Sequence, residues 1–387
     1  MPAATSQNLR ISNLSLVLRT ILSAESPISR AQVAQRTDLT RATVSRLVSD
    51  LVDWNLLTEL PALAGATGRP SVPLTASSLT YVCIGLEINI HYLSVVVLDL
   101  SGMVAFSAIK SGNYRNSTPK VVFNELETLL SQWQYPASTR IVGVTLCVPG
   151  LVDKQTSTII TAPNLGWEQV KTDTLPIFGV SAQKQVVNEA DASAFSFLYE
   201  RPGAPSSEQS FVYMSGEVGI GASIAINGEL FTGKNGWAGE IGHMCIDPNG
   251  PQCGCGANGC LEQYAGEASL LRNFPAGTSV NDLVMAFKHG SSIARDAVDL
   301  ASTSLGRALA NALNLLDLDL VILGGNLSIL FPHMENLLSA EIQYRVLSSR
   351  WSNLRIRTSK HGQLTAARGA CLMAFHSFLR EPVVGES

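Results

Sequence analysis

Two stretches of this 387-residue chain run through the same order of elements. The first opens at Tyr81 with YVCIGLEINIHYLSVVVLDLSG, two long apolar strands around a turn, and continues into SGMVAFSAIKS as a third strand. A helical stretch follows over about residues 120 to 133, and then the buried strand IVGVTLCVPGLVD. Beyond residue 209 the order recurs as FVYMSGE, GIGASIAINGELFTG, a helical region and LDLVILGGN. A repeated βββαβ order with Gly-rich turns predicts two similar α/β lobes, with a ligand held in the cleft between them.

The first eighty residues have a different texture. Leu14, Val17, Leu18, Ile21 and Leu22 fall on one helical stripe. After SPIS, residues 30–36 form a short second helix, TDL interrupts it, and Thr40 is placed to cap a third, RATVSRLVSDLVDW. Two short helices joined by about three residues make a helix-turn-helix, whose second helix enters the DNA major groove. Val44, Leu47, Val48 and Leu51 give that helix its buried face, leaving Arg41, Thr43, Ser45 and Arg46 for base edges and phosphates. TELPALAGATGRPSVPLTAS then reads as strand, tip and strand, a wing with Arg69 between Gly68 and Pro70, suited to a narrow minor groove. Charge agrees in direction. Residues 1–80 carry seven Arg and no Lys against five acids, +2, while the rest carries 20 basic and 26 acidic residues, −6. The expected partner is a double-stranded DNA operator.

Hydrophobic residues at 46% with 15% charged residues supply an ample core. No apolar run approaches the roughly 18 residues that cross a membrane. The start, MPAATSQNLRISNLSL, lacks the layout of a secretory signal, so a cytoplasmic protein with free thiols is expected.

Cysteines are nonetheless concentrated. Three of the seven fall within eight residues, as Cys253, Cys255 and Cys260 of CGCGANGCLE, with His243 ten residues upstream. Three thiolates and one imidazole make a closed tetrahedral zinc set, with no position left for an activated water. The spacing is unlike the C-x-x-C of thiol redox motifs. A structural Zn²⁺ is expected, with glycines 254, 256 and 259 folding the loop around it.

The lobe order resembles that of sugar kinases, actin and Hsp70. In the kinases, the first hairpin turn brings glycines and an aspartate to the nucleotide phosphates. In this chain it reads Glu87-Ile88-Asn89-Ile90-His91, with no glycine and with Glu87 expected to repel phosphate. The second Gly-rich turn, Ser215 to Gly221, places Glu217 where phosphate would sit. ATP binding is not expected.

Together the winged helix-turn-helix with TGRPSVPL, CVPGLVD, TAPNLGW, GWAGEIGH, CGCGANGCLE and LVILGGN resemble the ROK family of repressors, open reading frames and kinases. The resemblance covers nearly the whole chain. Its N-terminal winged helix is similar to the repressor branch, with repressors of xylose and N-acetylglucosamine use. The fold it implies is an N-terminal winged helix-turn-helix followed by a two-lobed actin/hexokinase-like α/β domain. Domain boundaries are expected at residues 1–80 for DNA binding, 81–200 for lobe 1 and 201–387 for lobe 2 with the zinc loop, lobe 1 being a second possible home for the C-terminal helix. The resemblance also implies sugar contacts from Asn164, Asn188, Glu189, Glu240, His243 and Glu262. Where ROK kinases have an Asn-Asp pair, whose aspartate is the general base, this chain has Asn188-Glu189. The expectation is a non-enzymatic, sugar-responsive repressor of carbohydrate-utilisation genes, acting as a homodimer or homotetramer. The alternatives are an active sugar kinase with an accessory DNA-binding head and a repressor controlled by a protein partner.

Overall fold

The structure is a computed structural model that describes residues 6–62, 72–173, 175 and 182–382. Elements are numbered in chain order. The chain divides into two compact units: residues 1–188, 195–207 and 366–387, and residues 189–194 and 208–365.

The first unit begins with three helices, α1 (Ser6–Leu22), α2 (Arg30–Thr37) and α3 (Arg41–Asp53). Ser29 starts α2 through a reciprocal capping box with Gln32, and the Thr40 side chain accepts from the Thr43 amide to start α3. Leu14, Val17 and Leu18 of α1 and Val44, Leu47, Val48 and Leu51 of α3 are buried, as the helical spacing predicts. A small sheet covers them: β1 (Ile28–Ser29), β2 (Leu57–Glu59) and β3 (Pro73–Ala76), in the order β1-β3-β2. The two wing strands match the sequence reading, and β1 is an addition to it. The tip with Arg69 lies outside the described residues.

The larger part of this unit carries β4 (Tyr81–Ile88), β5 (Tyr92–Asp99), β6 (Val104–Ser111), α4 (Pro119–Leu130) and β7 (Arg140–Val148). A three-stranded sheet follows, from β8 (Leu151–Asp153), β9 (Thr158–Ala162) and β10 (Trp167–Lys171), and then β11 (Gln183–Asn188) rejoins the main sheet. Strand order there is β6-β5-β4-β7-β11, antiparallel across the first three strands and parallel beyond β4. Helix α5 (Glu189–Leu198) starts in the second unit's segment and ends in the first unit's, where β12 (Tyr199–Arg201) and β13 (Ala204–Pro205) form a hairpin.

The second unit repeats the pattern with β14 (Phe211–Gly216), β15 (Ile220–Ile226) and β16 (Glu229–Leu230). Short helices α6 (Glu262–Ala265) and α7 (Glu267–Leu270) precede α8 (Val280–Lys288) and the long α9 (Ser292–Leu316). Then come β17 (Leu320–Gly324), α10 (Gly325–Arg345) and β18 (Arg355–Thr358). Its sheet runs β16-β15-β14-β17-β18, the same order with the same change from antiparallel to parallel. The repeat read from sequence is therefore a repeat of topology. A core of aliphatic side chains from β14, β17, α8, α9 and α10 fills this unit.

Helix α11 (Thr365–Arg380) returns to the first unit. Its backbone presses so closely on β4 that a Cβ at Gly85 would collide with the Ala367 carbonyl oxygen. Among the described residues, no helix is long and apolar enough to cross a membrane.

Candidate functional site

The cysteine loop folds on its own backbone. The Cys253 amide donates to the Ala257 carbonyl at 2.8 Å, the Gly256 amide to the Cys253 carbonyl at 3.0 Å, and the Ile246 amide to the Gly259 carbonyl at 2.7 Å. Gly256 and Gly259 have φ of 94° and 70°, conformations L side chains resist, whereas Gly254 is not in that region and faces open space. Two of the three glycines singled out in the sequence are thus required by geometry, and the third is not.

The loop gathers Sγ of Cys253, Cys255 and Cys260 and a ring nitrogen of His243 within 4.8 Å of one another. Cys255 and Cys260 sulfurs are 3.6 Å apart, and the Cys253 sulfur lies 3.9 Å from His243 Nδ1. A tetrahedral ion with Zn–S near 2.3 Å and Zn–N near 2.0 Å needs S···S of about 3.8 Å and N···S of about 3.5 Å. The donor set and its spacing fit zinc. The Ala257 amide, aimed at Cys255, brings that thiol down to about 7, while burial pushes Cys260 up to about 12.

His243 occupies a 3₁₀ turn, Ile241–His243, and turns its two ring nitrogens to different neighbours. With Nδ1 towards the thiols, Nε2 lies 3.9 Å from a Glu240 carboxylate oxygen. The cysteine loop and the Glu240 carboxylate therefore meet at one imidazole.

Around them, β15 offers a face with almost no side chains. Gly219 precedes the strand, and Gly221 and Ser223 alternate along it. A Cβ at Gly219 would collide with Glu262 Oε2, and one at Gly221 would lie 4.0 Å from Glu189 Oε1. Ser223 Oγ donates to Asp191 Oδ1 at 2.8 Å, both residues being buried. Desolvation raises the Glu240 carboxyl above the usual range; His243 opposes this, and Glu262 and Asp191 add to it. Four of the expected sugar contacts, Glu189, Glu240, His243 and Glu262, thus share one surface of the second unit. Asp191 belongs with them and is not among the residues singled out from the sequence. A signal for it exists, since it stands two residues after Glu189 in VVNEAD and the small residues at 219, 221 and 223 alternate at strand period.

Asn164 and Asn188 belong to the first unit. Asn164 sits half-buried in the 3₁₀ turn Pro163–Leu165, and Asn188 Nδ2 donates to the Gly150 carbonyl at 3.0 Å.

The turn between β4 and β5 departs from the expectation in its means. Glu87 does not stand in the turn to repel an anion: it is buried, accepting from Tyr92 Oη and Ser94 Oγ at 2.9 Å each. The turn is instead closed by its own amides, Asn89 N–H donating to the Tyr92 carbonyl and His91 N–H to Asn89 Oδ1, both at 2.9 Å. Amides committed in this way are not offered to phosphate. In the second unit, Glu217 Oε1 lies 2.5 Å from where a Gly325 Cβ would be, so a carboxylate already stands at the N-terminus of α10.

On α3, Arg41, Ser45 and Arg46 are exposed. Thr43 is half-buried, its hydroxyl 2.9 Å from that of Thr40, which engages it in the helix cap.

Comparison with known proteins places this geometry. The sequence pattern of the ROK family matches residues 83–376, and that of the IclR helix-turn-helix domain matches residues 11–61. The xylose repressor of Bacillus subtilis (strain 168) is 29% identical over 380 residues, spanning 95% of this chain and 96% of the relative. The DNA-binding transcriptional dual regulator NagC of Escherichia coli (strain K12) is 25% identical over 337 residues, 81% of this chain and 82% of that protein. Among solved structures, a ROK family transcriptional regulator described as a homologue of the E. coli MLC protein superposes with a TM-score of 0.78 at 21% identity, covering 96% of this chain and 97% of that one. A ROK family glucokinase from Streptomyces griseus in complex with glucose and AMPPNP gives 0.64 at 22% identity over 76% of this chain and 99% of its own. The ROK match spans the repeated lobes and the cysteine loop alike, and the chain belongs to the ROK family.

Proposed function

We propose that this chain is a sugar-responsive transcriptional repressor of carbohydrate-utilisation genes, reading a double-stranded operator with its winged helix and binding a sugar or amino sugar without phosphorylating it. The observation that carries the reading is the double duty of His243, whose two ring nitrogens face the thiol cluster and the Glu240 carboxylate. A carboxylate surface clamped to a metal loop is preorganised to accept hydrogen bonds from sugar hydroxyls, which lowers the ordering cost of binding. Asn164 and Asn188, of the first unit, are proposed as sugar contacts, as the family resemblance implies. In this reading Zn²⁺ is held by His243, Cys253, Cys255 and Cys260 and is structural, four protein ligands leaving no open position.

Exposed Arg41, Ser45 and Arg46 and half-buried Thr43 are proposed for groove contacts, with Arg69 of the wing proposed for the minor groove. The names of the two sequence relatives, a xylose repressor and a DNA-binding transcriptional dual regulator, support the same assignment. The protein is proposed to act in the cytoplasm as a homodimer or larger homo-oligomer, since a winged helix reads half-sites in pairs. An active kinase is disfavoured by the self-bonded β4–β5 turn and by Glu217 at the head of α10.

The test is a salt-matched operator shift assay with monosaccharides, amino sugars and their 6-phosphates, alongside ATP turnover. One sugar class should change operator affinity, and ATP should not be consumed. Brisk turnover with a hexose would overturn the proposal.

A further inference from the structure

One cysteine beside the metal loop has no part in it. Of the four cysteines in the second unit, Cys253, Cys255 and Cys260 gather with His243, while Cys245 does not. The three cysteines of the first unit, Cys83, Cys147 and Cys371, are buried. Among the described residues, Cys245 is therefore the one exposed thiol outside the candidate metal set.

Its position is set by the backbone. Cys245 and Cys260 face each other across an isolated antiparallel bridge. The bonds that make the bridge flank the pair: the Ile246 amide donates to the Gly259 carbonyl at 2.7 Å, and the Leu261 amide to the Met244 carbonyl at 2.9 Å. The cysteines are thus a non-hydrogen-bonded pair, an arrangement that sets Cα atoms about 4.5 Å apart with both side chains on one face. A disulfide accepts Cα separations of roughly 4.4–6.8 Å. Rotation about χ1 is then enough to bring the sulfurs together, and the backbone can stay where it is. The two segments are also closely packed, since a Cβ at Gly259 would collide with the Asp247 carbonyl oxygen.

We propose that Cys245 and Cys260 form a reversible, peroxide-driven disulfide that takes Cys260 out of the metal set and makes the loop a redox switch. The proposal rests on the zinc reading of the loop. Burial sets the order of the steps. Cys260 is 0% exposed and Cys245 is open to solvent, so hydrogen peroxide meets Cys245 first. The Cys245 sulfur attacks one peroxide oxygen, the O–O bond breaks, and a sulfenic acid and one water result. The Cys260 sulfur then attacks the Cys245 sulfur, forming the S–S bond and expelling hydroxide, which takes up a proton as the second water. The two thiols give up two electrons to one peroxide, and the balance closes.

After that step His243, Cys253 and Cys255 remain where a closed set of four had been. His243 is also the ring that approaches Glu240, so oxidation reaches the carboxylate surface by way of the lost metal. A thiol reductant restores Cys260.

The experiment exposes the full zinc-loaded chain and a Cys245→Ser variant to hydrogen peroxide. Zinc release is followed with a chromogenic chelator, and cross-links are located by peptide mass mapping without reduction. Cys245→Ser keeps all four candidate ligands and should carry zinc as the parent does. The parent should form a Cys245–Cys260 cross-link, lose zinc in step with it, and recover when a thiol reductant and zinc are added. The variant should release zinc at least tenfold more slowly. Equal release rates in the two proteins, or a cross-link from Cys260 to Cys255 in place of Cys245, overturns the proposal. Native mass spectrometry before oxidation judges the zinc reading separately. A metal-free parent defeats that reading, and the peptide map still decides whether Cys245 and Cys260 pair.

Discussion

The Ser15 hydroxyl donates to the Leu379 carbonyl at 2.6 Å, a buried bond between α1 and α11, 364 residues apart. Gly203 packs against Leu22 and Leu379 nearby, and Arg201 donates to the Ala24 carbonyl at 2.6 Å. The DNA-reading helices are therefore stitched to the chain's last helix and to the β12–β13 hairpin. The Leu379 carbonyl sits in the final turn of α11, where no intrahelical donor serves it. Ser15→Ala should cost about 1–3 kcal/mol, the penalty for leaving a buried acceptor unsatisfied. Urea unfolding followed by circular dichroism measures it, and an unchanged midpoint would show that the bond contributes nothing.

His376, on α11, predicts an acid-side weakness in the same region. Burial first, then the Arg380 and Arg19 charges, bring its imidazole down to about 4 from an ordinary 6.5. It packs edge-on against Phe195 and Tyr199, with ring centres at 5.5 and 5.2 Å. Because the folded state refuses a proton that the unfolded chain accepts, the contribution is whole above pH 6.5 and is lost as pH falls towards 4. His376→Gln should therefore narrow the gap between unfolding midpoints at pH 7.5 and pH 5 relative to the parent. Equal gaps in the two proteins would refute the assignment.

Much of this is legible in the sequence because it is periodic or spaced. Thr40 ahead of an apolar stripe marks α3, and the recurrence of strand, strand, strand, helix, strand marks two sheets that share one order. The four metal-binding candidates follow from thiol spacing and one histidine. What escapes depends on where a side chain turns. Glu87 reads as a charge in a phosphate turn, yet the strand is buried on both faces and its register sets Glu87 opposite Ser94, where it accepts from Ser94 and Tyr92. Asp191 escapes because its worth lies in a bond to Ser223, 32 residues away, and its place two residues after Glu189 does not name that partner.

Gly219 offers a test of the carboxylate surface that leaves its acids in place. A methyl group there would run into Glu262 Oε2, so the carboxylate must swing away. The end of a flexible side chain can move, and the fold should survive with a small change in thermal midpoint. Sugar binding should fall by at least tenfold, read as a loss of calorimetric heat. Gly219→Ala with parent-like sugar affinity would mean that Glu262 takes no part.

Metal removal should act through His243 on the sugar surface before it acts on the winged helix. The loop holding Cys253, Cys255 and Cys260 belongs to the second unit, whereas α1 to α3 belong to the first. Purified protein should carry one zinc per chain by mass spectrometry under native conditions. Cys260→Ser should lower that occupancy, because it removes a buried thiolate from a closed set of four. On treatment with a strong chelator, the protein should lose sugar-induced heat, since nothing then holds the His243 ring towards Glu240. Helical signal from the first unit should persist through the same treatment. Intact sugar recognition in the stripped protein would separate the metal from the ligand site and leave the adjacency of thiols and carboxylates without a role in sensing.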